Sequence, residues 1–462
     1  MYNFMIYFPI WKKALLLAWP VITNHIFTTL MRTTDMLLMG YFGPAAVTAV
    51  GLGDVWERIV LRIGLGFGSG SISLISQESG LVDIGEQANE KRDEILTQVL
   101  LMGIISGLPF MAIGIFIPDK LIKVLGAAPD VVVLGAQYLL IIFLAAPFRV
   151  ISLISARALQ GTGNTRIPMI IDIISNIVNI FLSVVLALGI GIFPELGVPG
   201  VGWGTFTAKL LAAIIYFIVF LLPRSPLRIR FPWPDWDLTI TTQLLKVSIP
   251  RGLQGGYQSL ITFPFNSLIL VFGTEAAAAY HIARRIQQQL LAPLQRSLGT
   301  VTTIMTGQKL GQGQPVQSRE ITRALLRLTI LTIGLLSLLL FVFAPQAVSL
   351  FSGDPETLSF GVLFLRALSI GAPLLTITHV ISGLLEGAGD TRTPFMGLVF
   401  SQTFFKLGLG FLLSISLELG LLGILIGLVV DYFAQMLWVL REYFSLKWAR
   451  KAQKMINERQ KQ

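Results

Sequence analysis

Leu159 to Pro168 reads LQGTGNTRIP, and Leu385 to Pro394 reads LEGAGDTRTP. The two stretches lie 226 residues apart in a chain of 462, so the sequence repeats itself at about half its length. Outward from them, ISQESG at 75–80 answers to TGQKLG at 306–311, Phe42-Gly43 to Phe272-Gly273, and Pro20 to Pro250. Pro147 answers to Pro373, and Glu195-Leu196-Gly197 to Glu418-Leu419-Gly420. The order is kept, and the separation drifts only between 223 and 231 residues. One half has been duplicated, with length changes gathered in loops. In a membrane chain, two like halves point to a substrate path along the seam between them.

The membrane reading follows from composition. Hydrophobic residues make up 54% and charged residues 13%, where a soluble domain carries roughly twice that charged fraction. Apolar stretches long enough to cross a bilayer as helix recur along the whole chain. They predict twelve spans, near 14–40, 46–76, 95–117, 130–156, 168–190, 199–222, 241–270, 276–306, 321–343, 356–384, 394–414 and 420–441. The expected fold is therefore an all-α integral membrane protein of twelve transmembrane helices. Six spans per half return the chain to its starting side, so the two six-helix bundles are parallel repeats. The expected organisation is an N-terminal lobe 1–222, a cytoplasmic linker 223–240, a C-terminal lobe 241–441 and a basic tail 442–462.

The net charge of +10 resembles a nucleic-acid signal until the charges are placed. Lys12, Lys13, Lys91, Arg92, Arg224 and Arg228 fall in loops on one side, with the basic tail, while Lys120 and Lys123 fall on the other. The positive-inside rule then puts both termini in the cytoplasm of a plasma-membrane (cell inner membrane) protein, and nucleic acid is excluded as a partner. With no cysteine there are no disulfides or thiolate metal sites. The three histidines are scattered and no phosphate loop or hydrolase motif is present, so neither an enzyme, nor a metal, nor a cofactor is expected. The linker PRSPLRIRFPWPDWDLT suits a segment lying on the membrane surface, with Trp233 and Trp236 in the interface belt and lipid head groups as partners; a plain connection is the alternative. Pro20, Pro147, Pro250, Pro293 and Pro373 lie inside predicted spans, where each frees a carbonyl and permits a kink.

Ionisable groups within the membrane are where chemistry is sought, because charge in hydrocarbon must be solvated or paired. Asp35, in the first span, is the leading candidate for holding a proton or sodium ion; pairing with Arg32, one turn earlier, is its structural alternative. In the fifth span Asn176, Asn179 and Ser183 share a face, with Asp172 further along. In the sixth, GVPGVGWGTFT sets Thr205 after small residues that allow close packing. Asp54 and Glu57 in the second span align with Arg284 and Arg285 in the eighth, a candidate outer gate; pairing within each half is the alternative. Phe27, Met31, Tyr257, Gln258, Phe263 and Phe265 are candidates for a substrate cleft, since aromatic rings and thioethers suit flat lipophilic cations.

The paired G-x-G-[ND]-T-R-x-P turns after spans four and ten, with ISQESG and TGQKLG after spans two and eight, resemble the MATE (multidrug and toxic compound extrusion) family over nearly the whole chain. That resemblance implies a cation-coupled antiporter that exports small lipophilic, often cationic compounds by alternating access. A NorM-like branch would carry acids in spans seven and ten; here the seventh-span position is Gln258 and LLTITHVISGLL has no acid. The DinF-like branch carries its essential acid in span one, fifteen residues after a proline, which fits Asp35 after Pro20. By that resemblance Asn179, Thr205 and Tyr138 complete the coupling network. The family pattern has an aspartate where this chain has Ser183, which leaves Asp35 as a single titrating group and favours the proton over sodium as coupling ion. A monomer is expected. The rival readings are a lipid-linked oligosaccharide flippase of the same wider superfamily, which would want a strongly basic cavity, and a major-facilitator transporter, whose basic motif is missing from GLVDIGEQANEKRDE.

Overall fold

A computed structural model describes residues 2–81, 87–230 and 236–461, and every regular element among them is helical. The first half contains α1 (Tyr2–Tyr41), α2 (Pro44–Leu81), α3 (Gln87–Phe116), the short α4 (Pro118–Val124), α5 (Pro129–Leu144), α6 (Ala146–Gly161), α7 (Arg166–Leu188) and α8 (Val198–Leu221). The second contains α9 (Leu238–Leu270), α10 (Thr274–Leu290), α11 (Ala292–Gly311), α12 (Pro315–Val342), the short α13 (Ala344–Ser349) and α14 (Pro355–Gly387). It closes with α15 (Arg392–Ser401), which continues as π-helix over Gln402–Leu409 and Leu412–Ser416, then α16 (Leu421–Ser445) and α17 (Lys447–Gln460).

These helices account for the twelve expected spans. Nine helices among the described residues are long and apolar enough to cross a membrane, and α5 with α6, bent by 46° between them, makes a tenth. The other two spans are α9 and the α10–α11 pair. They fall short in hydropathy because they carry Gln243, Lys246, Arg251, Gln254 and Gln258, and His281, Arg284, Arg285 and Gln287.

The prolines act unequally. Helix runs through Pro20, Pro250 and Pro373, but breaks at Ala145, two residues before Pro147, and at Leu291, two residues before Pro293. A proline ring crowds the carbonyls of the turn before it, which is where both breaks fall. Of the matched pair Pro147 and Pro373, only Pro147 therefore sits beside a break in the helix.

The paired turns have a local cause. Gly163 (φ 89°) and Gly389 (φ 77°) take left-handed conformations that side chains resist. In the first turn the N–H of Asn164 donates to Leu159 O and that of Gly163 to Gln160 O; in the second, Asp390 and Gly389 donate to Leu385 O and Glu386 O. This double bond pattern stops a helix. The next residue restarts one: Asn164 Oδ1 accepts from Ile167 N, and Asp390 accepts from both Thr393 N and the Thr393 hydroxyl.

The chain forms two compact units, Pro20–Gly252 and Met1–Trp19 with Leu253–Gln462. Their edges depart from the chain order expected for lobes 1–222 and 241–441. The first part of α1 packs with α12, where the Trp11 indole donates to Ala324 O at 2.8 Å and the Arg327 guanidinium lies 4.5 Å above the Tyr7 ring. The first part of α9 packs on α2 so closely that a Cβ on Gly66 would lie 2.7 Å from Ser248 O. Both changes of unit fall beside the matched prolines, Pro20 and Pro250.

Of the expected linker, Trp233 lies outside the described residues, and Trp236 is exposed. Before it the backbone is tied to α3: Arg228 N donates to Asp93 Oδ1 and Arg230 N to Thr97 Oγ1. Asp237 caps α9 through Thr239 N and Ile240 N and pairs with Lys91 at 2.9 Å. The basic tail forms α17, which buries Trp448, Ala452 and Met455.

Candidate functional site

The unit Pro20–Gly252 gathers the polar residues of the first, second, fourth, fifth and sixth spans. α1 can carry its threonines through the membrane because Thr28, Thr29, Thr33 and Thr34 each bond the carbonyl four residues earlier. Asp35 has no such local partner. Its carboxyl faces Ser183, and its charged surroundings are Asp54, Lys209 and Arg32.

α7 presents Asn176, Asn179 and Ser183 on one buried face. That face meets α8 because α8 has no side chain in the way. A Cβ on Gly200 would lie 2.6 Å from Leu186 C, and one on Gly204 would lie 2.7 Å from Ser183 N. At this separation the Asn179 amide donates to Thr205 Oγ1 at 3.0 Å, and the Ser175 hydroxyl donates to Ala208 O at 2.9 Å. Among the described residues Asp35 Oδ1, Asn179 Oδ1 and Ser183 Oγ have no hydrogen-bond partner. A carboxyl with neighbouring oxygens that lack donors can hold a proton or a small monovalent cation.

Tyr138, on α5, is buried in the same unit. Its ring lies against α2, where a Cβ on Gly53 would come within 2.7 Å of it. Its charged neighbours include Asp54, Asp35 and Arg32. Asn179, Thr205, Ser183, Tyr138 and Asp35 are thus carried on four spans of one unit.

Sequence reasoning missed part of this polar centre. Lys209, on α8, has both Asp172 and Asp35 among its charged neighbours. Asp172 accepts from the Asn24 amide at 2.5 Å and from the Tyr216 hydroxyl at 3.3 Å. Arg149, on α6, forms an ion pair with Glu57. In the other unit Lys406 and Asp431 are buried. The signal for each was a single charge inside an apolar run: TAKLLAA, FRVIS, FFKLG and LVVDYF.

The remaining candidates disperse. Glu57 is engaged by Arg149 within its own unit, and Asp54 has Arg32, Arg58 and Arg149 as charged neighbours. Arg284 is half-buried, bonding the Tyr280 hydroxyl at 3.4 Å, while Arg285 is exposed. Of the cleft candidates, Phe263 and Gln258 are exposed, Phe27 and Tyr257 are half-buried, and Met31 is buried. The Tyr257 hydroxyl bonds Thr403 and Val399 O. Phe265 is 0% exposed, packed edge-on to Tyr280 inside the core of its unit.

Comparison with known proteins agrees with this architecture. The chain is 25% identical over 448 residues to the probable multidrug resistance protein YoeA of Bacillus subtilis, covering 96% of this chain and 95% of that one. It is 24% identical over 445 residues to the probable multidrug resistance protein NorM of Thermotoga maritima, covering 96% and 94%. The crystal structure of MATE in the bent conformation superposes with a TM-score of 0.86 at 21% identity, over 95% of this chain and 96% of that one, which shows the shared fold. The MatE family model matches residues 20–185 and 251–412, one segment in each repeat. The chain is a multi-pass membrane protein and belongs to the MatE family.

Proposed function

We propose that this chain is a proton-coupled antiporter that exports small lipophilic, often cationic compounds across the cell inner membrane by alternating access, with both termini in the cytoplasm. Its relatives named as probable multidrug resistance proteins support the substrate class. The observation that carries the coupling reading is the Asp35 carboxyl set among Ser183, Asn179, Thr205 and Tyr138, with unpartnered oxygens at its centre. One titrating carboxyl suffices to couple a proton to a drug, provided that proton and drug favour different states of the protein. Protonation removes the charge of Asp35 and with it the pull of Lys209 and Arg32, so α1, α7 and α8 can repack. Export then alternates with proton entry, and sodium need not take part.

The test is efflux of a fluorescent lipophilic cation from reconstituted vesicles under an imposed proton gradient and, separately, a sodium gradient. The expected result is efflux that follows the proton gradient and is lost in Asp35→Asn. Efflux that follows sodium, or that survives in Asp35→Asn, overturns the assignment.

A further inference from the structure

We propose that the unit containing Leu253–Gln462 carries a second cation site, built as a copy of the one around Asp35, and that the ε-ammonium of Lys406 is its permanent occupant. This rests on the reading of Asp35 as a cation-binding carboxyl.

The correspondence is fixed residue by residue. Asp35 lies eight residues before Gly43, and Phe265 eight before Gly273; both glycines are left-handed, at φ 92° and 106°. Tyr138 and Phe364 each lie nine residues before the matched prolines Pro147 and Pro373. In the fifth span Ser175 donates to Ala208 O, and in the eleventh Ser401 donates to Asp431 O at 2.7 Å. Ser175 therefore matches Ser401, and Ala208 matches Asp431.

One turn on, the register shifts. Gly204 packs against Ser183, and its counterpart Gly427 packs against Gly410. Ser175 and Ser183 are eight residues apart, whereas Ser401 and Gly410 are nine apart. The extra residue is accommodated by the π-helix over Gln402–Leu409, since a π-turn absorbs one additional residue. Lys406, four residues before Gly410, thus takes the place of Asn179, four before Ser183.

The side chain then reaches where the cation would be. Lys406 Nζ lies 4.3 Å above the centroid of Phe265, the residue at the Asp35 position, and Lys406 is only 8% exposed. An aromatic face attracts a desolvated ammonium. Asp431 supplies the nearby carboxylate, with Arg284 a like charge in the vicinity. The Asp431 carboxyl is held by the Ser401 hydroxyl and, at 2.9 Å, by the Gln435 amide; its Oδ2 has no hydrogen-bond partner among the described residues. The acid has moved from the first span of the repeat to the last, and the exchangeable ion has been replaced by one on a tether. The second unit then needs no exchangeable cation, and coupling passes through Asp35 alone.

The test measures melting of the purified protein in detergent, with methylammonium chloride and with sodium chloride at equal concentration. Lys406→Ala is expected to melt several degrees below wild type and to recover in methylammonium more than in sodium. Wild type, and the double variant Lys406→Ala with Asp431→Asn, are expected to respond to the two salts alike. If Lys406→Ala does not fold, Lys406→Met with Asp431→Asn, which removes both charges, is expected to fold better than Lys406→Met alone. Equal response of Lys406→Ala to both salts, melting at the wild-type temperature, or a double variant no better than the single one overturns the proposal. The vesicle assay with Asp35→Asn reads the coupling assignment separately, so failure of the Lys406 proposal and failure of that assignment are told apart.

Discussion

Substitution of Gly204 by alanine tests the contact on which the Asp35 site is built. A Cβ there would lie 2.5 Å from Ser183 Oγ, 2.7 Å from Ser183 N and 3.0 Å from Ser183 Cα, where ordinary contact is 3.4–4 Å. The serine hydroxyl could rotate away, but the backbone nitrogen could not. α7 and α8 would have to part by about 0.7 Å to reach ordinary contact. Overpacking of this kind costs about 1–3 kcal/mol. The same displacement stretches the 3.0 Å bond from Asn179 to Thr205 beyond useful length, losing about 1 kcal/mol more. Alanine returns up to about 1 kcal/mol as the better helix former, leaving a net loss of about 1–3 kcal/mol.

The assay is thermal melting in detergent beside proton-driven efflux from vesicles. Gly204→Ala is expected to melt several degrees low and to transport poorly, because Ser183 and Asn179 shift relative to Asp35. Adding Ser183→Ala removes only the contact with the hydroxyl and is expected to rescue little. Gly334→Ala, where nothing lies within 4 Å of the new Cβ, is the control and should be neutral or slightly stabilising. If Gly204→Ala melts and transports like that control, the close approach of α7 and α8 is not what holds the site together.

Two further outcomes are expected. Arg149→Met leaves the Glu57 carboxyl without its ion-pair partner and should cost about 3 kcal/mol, whereas Arg149→Met with Glu57→Gln should recover most of that in the same melting assay; no recovery would show that the pair is not coupled. Hydrogen bonding from Thr357 at the start of α14 holds the Asp354 carboxyl below the ordinary aspartate value of 3.8. A depressed carboxyl contributes stability above its unfolded pKa and loses it as pH falls through the folded one. Asp354→Ala should therefore lower the melting temperature at neutral pH, with the gap to wild type closing only below pH 3.8; a gap that does not change with pH would deny the charged cap.

The sequence by itself determined what depends on neighbours along the chain. The lengths of the apolar runs set most of the twelve spans. The left-handed glycines Gly163 and Gly389 and the capping residues Asn164 and Asp390 set the paired turns, since these need only local hydrogen bonds and backbone freedom. The duplication, and Asp35 as an acid within an apolar run, were legible in the same way.

Tertiary structure alone decided which helix faces meet. Spans are apolar on nearly every side, so hydropathy does not say which face turns inward, and the polar residues of different spans cannot be paired from periodicity. Hence Lys209 near both Asp35 and Asp172, the Arg149–Glu57 pair and the burial of Phe265 were not legible. The exchange of units within α1 and α9 depends on close packing at Gly66 and on the Trp11 bond to Ala324. The π-helical insertion before Gly410 is a one-residue change in register that offsets read from loop motifs cannot locate. It puts Lys406 rather than Phe405 in the Asn179 position, because the π-turn absorbs the added residue and leaves Gly410 where Ser183 stands in the first half.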